Sequence, residues 1–182
     1  IKDEQWPDEA RKIMDNAGLE PGFRHLADHI YGHDNLAEGK VYASSSDSDV
    51  GHSANLGADN NWKSSWQGKE GTAGPCWWSV DLGEAHVIQK VGILPLQDKL
   101  EISARKNLEI QASNDPGFKT HVVLAKRNDL PWYHKMKSSN LWEEFINVPQ
   151  GYRYLRVTST DPKAVLSMGE FFAYGYRQHP AR

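Results

Sequence analysis

Asp59, Asn60 and Asn61 place three oxygen-bearing side chains in a row, the densest chemical signal in the chain. Side chains of this kind bond the local backbone and favour turns over helix or strand. A carboxylate with several carbonyl oxygens turned inward is also a ligand set for a hard cation such as Ca²⁺. The stretch continues through Trp66 and Cys76 to Trp77, Trp78, Val80, Leu82 and Gly83, an aromatic and branched run that predicts a buried strand stopped by the glycine. Catalytic chemistry is scarce. There is no G-x-S-x-G, no H-E-x-x-H and no phosphate-cradling glycine loop. The single cysteine, Cys76, excludes both an internal disulfide and a zinc-binding cysteine pair, and is expected as a small buried thiol beside the tryptophans. Glu143 and Glu144 are adjacent, so on a strand they would point to opposite faces and form a solvated edge, not an acid and base.

The elements that must carry these residues are short strands. Val41 and Ala43 open one, before a polar loop, DSDVGHSAN, too rich in Ser, Asp and Gly to pack. Val87, Ile88, Val91 and Ile93 form another, ended by Pro95; Leu108, Ile110 and Ala112 alternate ahead of a turn at Asn114-Asp115-Pro116-Gly117. Further strands are expected at Val122 to Leu124, Phe145 to Val148, Tyr152 to Val157 and Phe171 to Tyr176. Strands this closely spaced, with no helices between them, predict an all-β antiparallel sandwich or jelly roll. Such a fold leaves residues free for binding mainly in the loops at one end of its sheets. The leading segment differs: Pro7, Asp8 and Glu9 start a short amphipathic helix with Ile13, Met14 and Ala17 that ends at Gly18, and Phe23, Leu26, Ala27 and Ile30 mark a second.

Length and charge set further limits. A chain of 182 residues suffices for one domain with a sizeable core plus a small appendage. A formal net charge of −3 offers no basic field for nucleic acid. No apolar run approaches the roughly 20 residues of a membrane span. No signal peptide is visible, and a sequence opening on Ile1 reads as a fragment or processed product.

Several ordered motifs resemble the discoidin family, also known as the coagulation factor 5/8 type C or family 32 carbohydrate-binding-module fold. The family pattern D-G-N-x-x-T-x-W is similar to Asp59, Asn60, Asn61, Ser64 and Trp66, and W-x-x-V-D-L-G to Trp78, Val80, Asp81, Leu82 and Gly83. NLEIQASNDPGF at 107–118, YRYLRV at 152–157 and GEFFAYG at 169–175 resemble later family strands, so the likeness runs in order from Asn35 to Tyr176. Separately, IMDNAGLEPGFRHL is similar to the tail that follows parallel β-helix domains in polysaccharide lyases and glycosidases. It implies that residues 1–33 are a helical connector from an upstream domain, residues 34–177 the sandwich, and residues 178–182 a tail.

The resemblance implies a structural Ca²⁺ held at Asp59, Asn61, Ser64 and Glu170. Asn60 stands where the family usually has glycine, so the turn must accept a left-handed asparagine. For sugar, the family's galactose binders use a histidine after the T-x-W tryptophan and an arginine after the proline of the middle loop. Gln67 and Leu96 occupy those positions here. The remaining kit is His52, Gln67, Gln97, Asp98, Lys99 and Arg105 with Trp132, Tyr133 and His134. Aromatic faces suit the C–H side of a sugar, and planar or cationic groups grip hydroxyls and carboxylates. The implied function is a non-catalytic carbohydrate-binding module that targets a secreted, bacterial polysaccharide-degrading enzyme to its substrate, an acidic polysaccharide being the expected ligand. Other readings of the same fold are an adhesion or protein-interaction module, with Val50, Leu100 and Val165 as its apolar tips, and a structural cap on a β-helix.

Overall fold

The computed structural model describes residues 35–61, 63–94, 107–127 and 142–178. The helices expected within residues 1–33 lie outside these ranges, as do Gln97, Asp98, Lys99, Arg105, Trp132, Tyr133 and His134. The strands are β1 (Val41–Ser44), β2 (Trp66–Gln67), β3 (Trp77–Leu94), β4 (Leu108–Ser113), β5 (Val122–Arg127), β6 (Trp142–Phe145), β7 (Tyr152–Ser159), β8 (Ser167–Met168) and β9 (Glu170–Arg177).

The fold turns on β3, 18 residues long. Its first part pairs with β1, from Val41 opposite Asp81 to Ser44 opposite Trp78, and with β7, from Trp77 opposite Thr158 to Asp81 opposite Tyr154. Its second part pairs with β9, from His86 opposite Arg177 to Leu94 opposite Glu170, and with β6. One layer therefore runs β1-β3-β7-β4-β5 and the other β6-β3-β9, all antiparallel, with β2 and β8 as a small separate pair. Residues of both layers, among them Trp78, Val80, Ile110, Leu155, Ile93 and Phe171, form one core cluster, which makes the fold the expected antiparallel β-sandwich.

Two strand expectations are corrected. The sequence predicts that Gly83 ends a strand and that another starts at Val87; instead the chain runs through as β3. Gly83 takes φ 85° and its N–H is held by Asp81 Oδ1 at 2.8 Å, a kink that suits a residue without Cβ and coincides with the register shift between Asp81 and His86. The expected strand at Phe145 to Val148 begins three residues earlier: Trp142 is buried, whereas Phe145 is 85 % exposed. Nor is Glu143 a solvated edge residue. Its side chain is largely covered and meets Lys90 Nζ at 3.3 Å, while Glu144 is exposed and accepts from Trp142 Nε1 at 2.8 Å.

The core follows residue type. Trp66 and Trp78 are fully buried, the Trp78 ring lying 5.6 Å from Tyr42 and 5.2 Å from Phe171. The Cys76 thiol is buried against Gly68, near Trp66, as expected. The polar loop after β1 packs more than its composition predicts. It forms two 3₁₀ turns, Val50–His52 and Ala54–Gly57, and the buried Trp78 Nε1 donates to Ala54 O at 2.7 Å. Gly57 lies directly on the Trp78 indole, where a Cβ would collide with it. A buried indole N–H needs an acceptor, and this loop carbonyl is the one available.

Candidate functional site

The oxygen-rich turn lies against the first residue of the last strand. Asn60 does adopt the left-handed conformation, φ 59°, and its N–H points at Glu170 Oε1 at 3.2 Å. Asp59 Oδ1 accepts from Asn61 N at 3.0 Å, Asp59 Oδ2 from the Ser64 hydroxyl at 2.7 Å, and the same hydroxyl lies 2.7 Å from Asn61 O. Both flanks are pinned. The Tyr42 hydroxyl sits against the carbonyls of Ala37 and Ala58 at 2.7 and 3.1 Å. Asn35 holds the backbone of β9 through Phe171 O at 3.1 Å and Ala173 N at 3.0 Å. Asp59, Asn61, Ser64 and Glu170, far apart in sequence, are thus brought to one place.

Glu170 decides what this place can do. It is 1 % exposed, and its Oε2 has no hydrogen-bond partner. Burial, reinforced by the Asp59 charge and opposed by the Asn60 N–H, pushes its carboxyl up from 4.5 to about 8. A buried carboxylate oxygen without a donor is costly unless it meets a proton or a cation. No cluster of three His, Cys, Asp or Glu occurs among the described residues, so a cation here would draw on carbonyl and hydroxyl oxygens beside the carboxylates. That chemistry fits Ca²⁺, a hard ion that takes 6–8 oxygen ligands, and does not fit zinc.

Of the expected sugar contacts, two are described. His52 closes on its own turn: Nδ1 lies 2.9 and 3.1 Å from the two carboxylate oxygens of Asp49. Gln67, opposite Ser167 in the β2–β8 pair, donates through its side-chain amide to Ser65 Oγ at 3.3 Å, and its backbone carbonyl accepts from Ser48 N at 2.8 Å. The loop carrying His52 is therefore laced to β2, an attachment that Trp66 Nε1 extends by approaching Asp47 Oδ1 at 3.2 Å. Next to it, a hollow of about 360 Å³ lies between residues 69–76 and 162–165, with Lys69 and Lys163 on its rim. A second, broader cleft of about 540 Å³ opens on the outer face of the larger layer around Arg156, Trp77 and Phe118. Neither cleft was expected from the sequence, although the signal for the second was there. With period two, Trp77 must face away from buried Trp78, and Arg156 away from Leu155 and Val157.

The family model described as F5/8 type C domain matches residues 40–171. The chain belongs to this family. Solved structures sharing the F5/8 type C sandwich include chitosan-binding module 1 of a chitosanase/glucanase from Paenibacillus sp. IK-5, with 24 % identity and a TM-score of 0.62 over 79 % of this chain and 100 % of that one. A Streptococcus pneumoniae fucose binding module gives 24 % identity and a TM-score of 0.63, covering 79 % and 99 %. CBM62 from Clostridium thermocellum Xyl5A gives 22 % identity and a TM-score of 0.62, covering 77 % and 96 %. At such identities the likeness is one of fold. A search of curated proteins finds no match. No helix among the described residues is long and apolar enough to cross a membrane.

Proposed function

We propose that this F5/8 type C domain is a non-catalytic carbohydrate-binding module, which holds a secreted polysaccharide-degrading enzyme on its glycan. The observation that supports this most is the sandwich itself, whose loop end is laced together by Trp66, Ser48 and Gln67 and whose fold recurs in modules named for binding chitosan and fucose. A weak single-site module of this kind works by raising local concentration of the catalytic domain on an insoluble or multivalent substrate. Residues 1–33 serve in this reading as the helical connector to that upstream domain, residues 34–177 as the module and residues 178–182 as a tail. The ligand class is an acidic polysaccharide, gripped by Lys99 and Arg105 with His52 or His134, because Gln67 and Leu96 replace the galactose-gripping pair.

The turn at Asp59, Asn61 and Ser64 together with Glu170 binds a structural Ca²⁺ in the same proposal, supported by the buried and donor-less Oε2 of Glu170. The ion would tie the loop to the start of β9. A glycan array on the whole chain, followed by calorimetry on the hits, tests the function. Binding of acidic oligosaccharides that weakens as salt rises is the expected result. Binding of no glycan, with capture of a protein partner instead, would favour the adhesion reading.

A further inference from the structure

The outer face of the β1-β3-β7-β4-β5 layer carries a cation among aromatic rings. Arg156 stands on β7 opposite Ser79 of β3 on one side and Gln111 of β4 on the other. Its guanidinium carbon lies 4.6 Å from the Trp77 ring centroid and 3.9 Å from that of Phe118. The two rings come from opposite sides of β7, Trp77 from β3 and Phe118 from the turn after β4. Stacking of this kind occupies the faces of a guanidinium and leaves hydrogen bonding to its in-plane N–H groups.

Further observations bear on what this guanidinium can bind. Among the described residues no carboxylate lies within ion-pair distance of Arg156, and its buried Nε has no hydrogen-bond partner. The nearby acids are engaged elsewhere: Glu109 accepts from Gln111 Nε2 at 3.0 Å and lies 3.7 Å from Lys126 Nζ, while Asp115 accepts backbone N–H bonds from Gly117 and Lys119, each at 2.9 Å. Burial lowers the pKa of the guanidinium, and the Asp115 charge opposes this only in part. Finally, Phe118 is held at φ 54°, a left-handed conformation that is strained for a bulky residue. Its N–H bonds Asp115 O at 2.9 Å, and the strained turn sets the ring over Arg156. Strain of this sort persists where the surroundings impose it, and here it completes the cleft.

We propose that this cleft is a second saccharide subsite, apart from the loop end, which takes the carboxylate of a uronic acid unit on the N–H edge of Arg156. The cleft of about 540 Å³ has the size of a small-ligand pocket. Polar groups for sugar hydroxyls surround the cation, with Gln111, His121 and Thr160 on the walls and Glu109 as an acceptor. A planar guanidinium binds a planar carboxylate by two parallel hydrogen bonds, strengthened where water is excluded. The inference rests on the carbohydrate-binding reading for its ligand class.

The test uses the whole chain with oligogalacturonate and, as a control, its methyl ester, which keeps the sugar and removes the charge. Calorimetry should show the acid binding and the ester binding at least about 10-fold more weakly. Arg156→Gln should weaken the acid about 10- to 100-fold, and Arg156→Lys, which keeps the charge but not the fork, should also lose at least about 10-fold. Unfolding midpoints of both variants check that the fold is intact. Acid binding indifferent to both variants overturns the site, as does equal binding of acid and ester. Preference for a peptide carboxylate over the oligosaccharide overturns the ligand class. Neutral glycans binding with no response to oligogalacturonate would remove this cleft and leave the module function standing, whereas no glycan binding at all would remove both.

Discussion

Glu170→Gln in chelated protein is the most discriminating perturbation. The side chain is 1 % exposed, and its carboxyl is raised from 4.5 to about 8, chiefly by burial. Because the folded value exceeds the unfolded one, folding takes up a proton between the two. The stability from neutral Glu170 is complete below about 4.5 and drains away as pH rises toward about 8. At about 1.4 kcal/mol per pH unit, the loss between 4.5 and pH 7 comes to roughly 3 kcal/mol, an order-of-magnitude figure for one buried carboxylate. The isosteric amide never ionises. In EDTA, urea unfolding of the wild type should therefore weaken from pH 5 to pH 8 while Glu170→Gln stays flat, the variant being the more stable by about 1–3 kcal/mol at pH 7. Added Ca²⁺ should reverse the order, because an ion that binds only the folded state contributes about 2.7 kcal/mol at 100 times its Kd, and the amide lacks the charge to hold it. Asp59→Ala should lose the Ca²⁺ response as well. Parallel pH profiles for wild type and Glu170→Gln in EDTA, or equal Ca²⁺ shifts in both, would refute the reasoning.

Two substitutions test the frame around the site. Gly175→Ala on β9 would drive its Cβ into Val87 O, with Ile88 Cα only 3.1 Å away; since both neighbours are backbone, the unfolding free energy from urea titration should fall by about 1–3 kcal/mol or more, and an unchanged value would show that the β3–β9 pairing is misplaced. Trp78→Phe removes the 2.7 Å bond to Ala54 O and leaves space in a fully buried site. It should cost about 2–3 kcal/mol and raise protease cleavage within residues 50–57 more than elsewhere, a pattern that mass spectrometry of the fragments would reveal or contradict.

Period-two patterning made most strands legible, since Leu108, Ile110 and Ala112, or Leu155 and Val157, bury one face of a sheet and nothing else in the sequence competes. What failed was reading continuity. Glycine after a hydrophobic run reads as a stop, yet at Gly83 the positive φ bends a strand without ending it. The turn at Asp59 could be recognised because its residue types are unsuited to anything else, and the left-handed Asn60 followed from the missing glycine. The partnership with Glu170 came from the family pattern alone, because a separation of 110 residues leaves no local trace. The Arg156 cleft went unread for a different reason. An arginine in a strand is ordinarily a solvated face, and only the ring of Phe118, swung over it by a backbone conformation that sequence does not disclose, distinguishes this one.

The bend in β3 also bears on how the chain could be cut and rejoined. Exposed, glycine-bearing bends are normally where insertions, new termini and fusions are tolerated, and Gly83 has that look. Yet the strand it interrupts is hydrogen-bonded to β1 before the bend, to β9 and β6 after it, and to β7 on both sides. A break there would free one side of the ladder in both layers at once. The surface bend is therefore a rail joint, not a seam, and a circular permutation opened at Gly83 would forfeit the continuity that keeps the two layers in register.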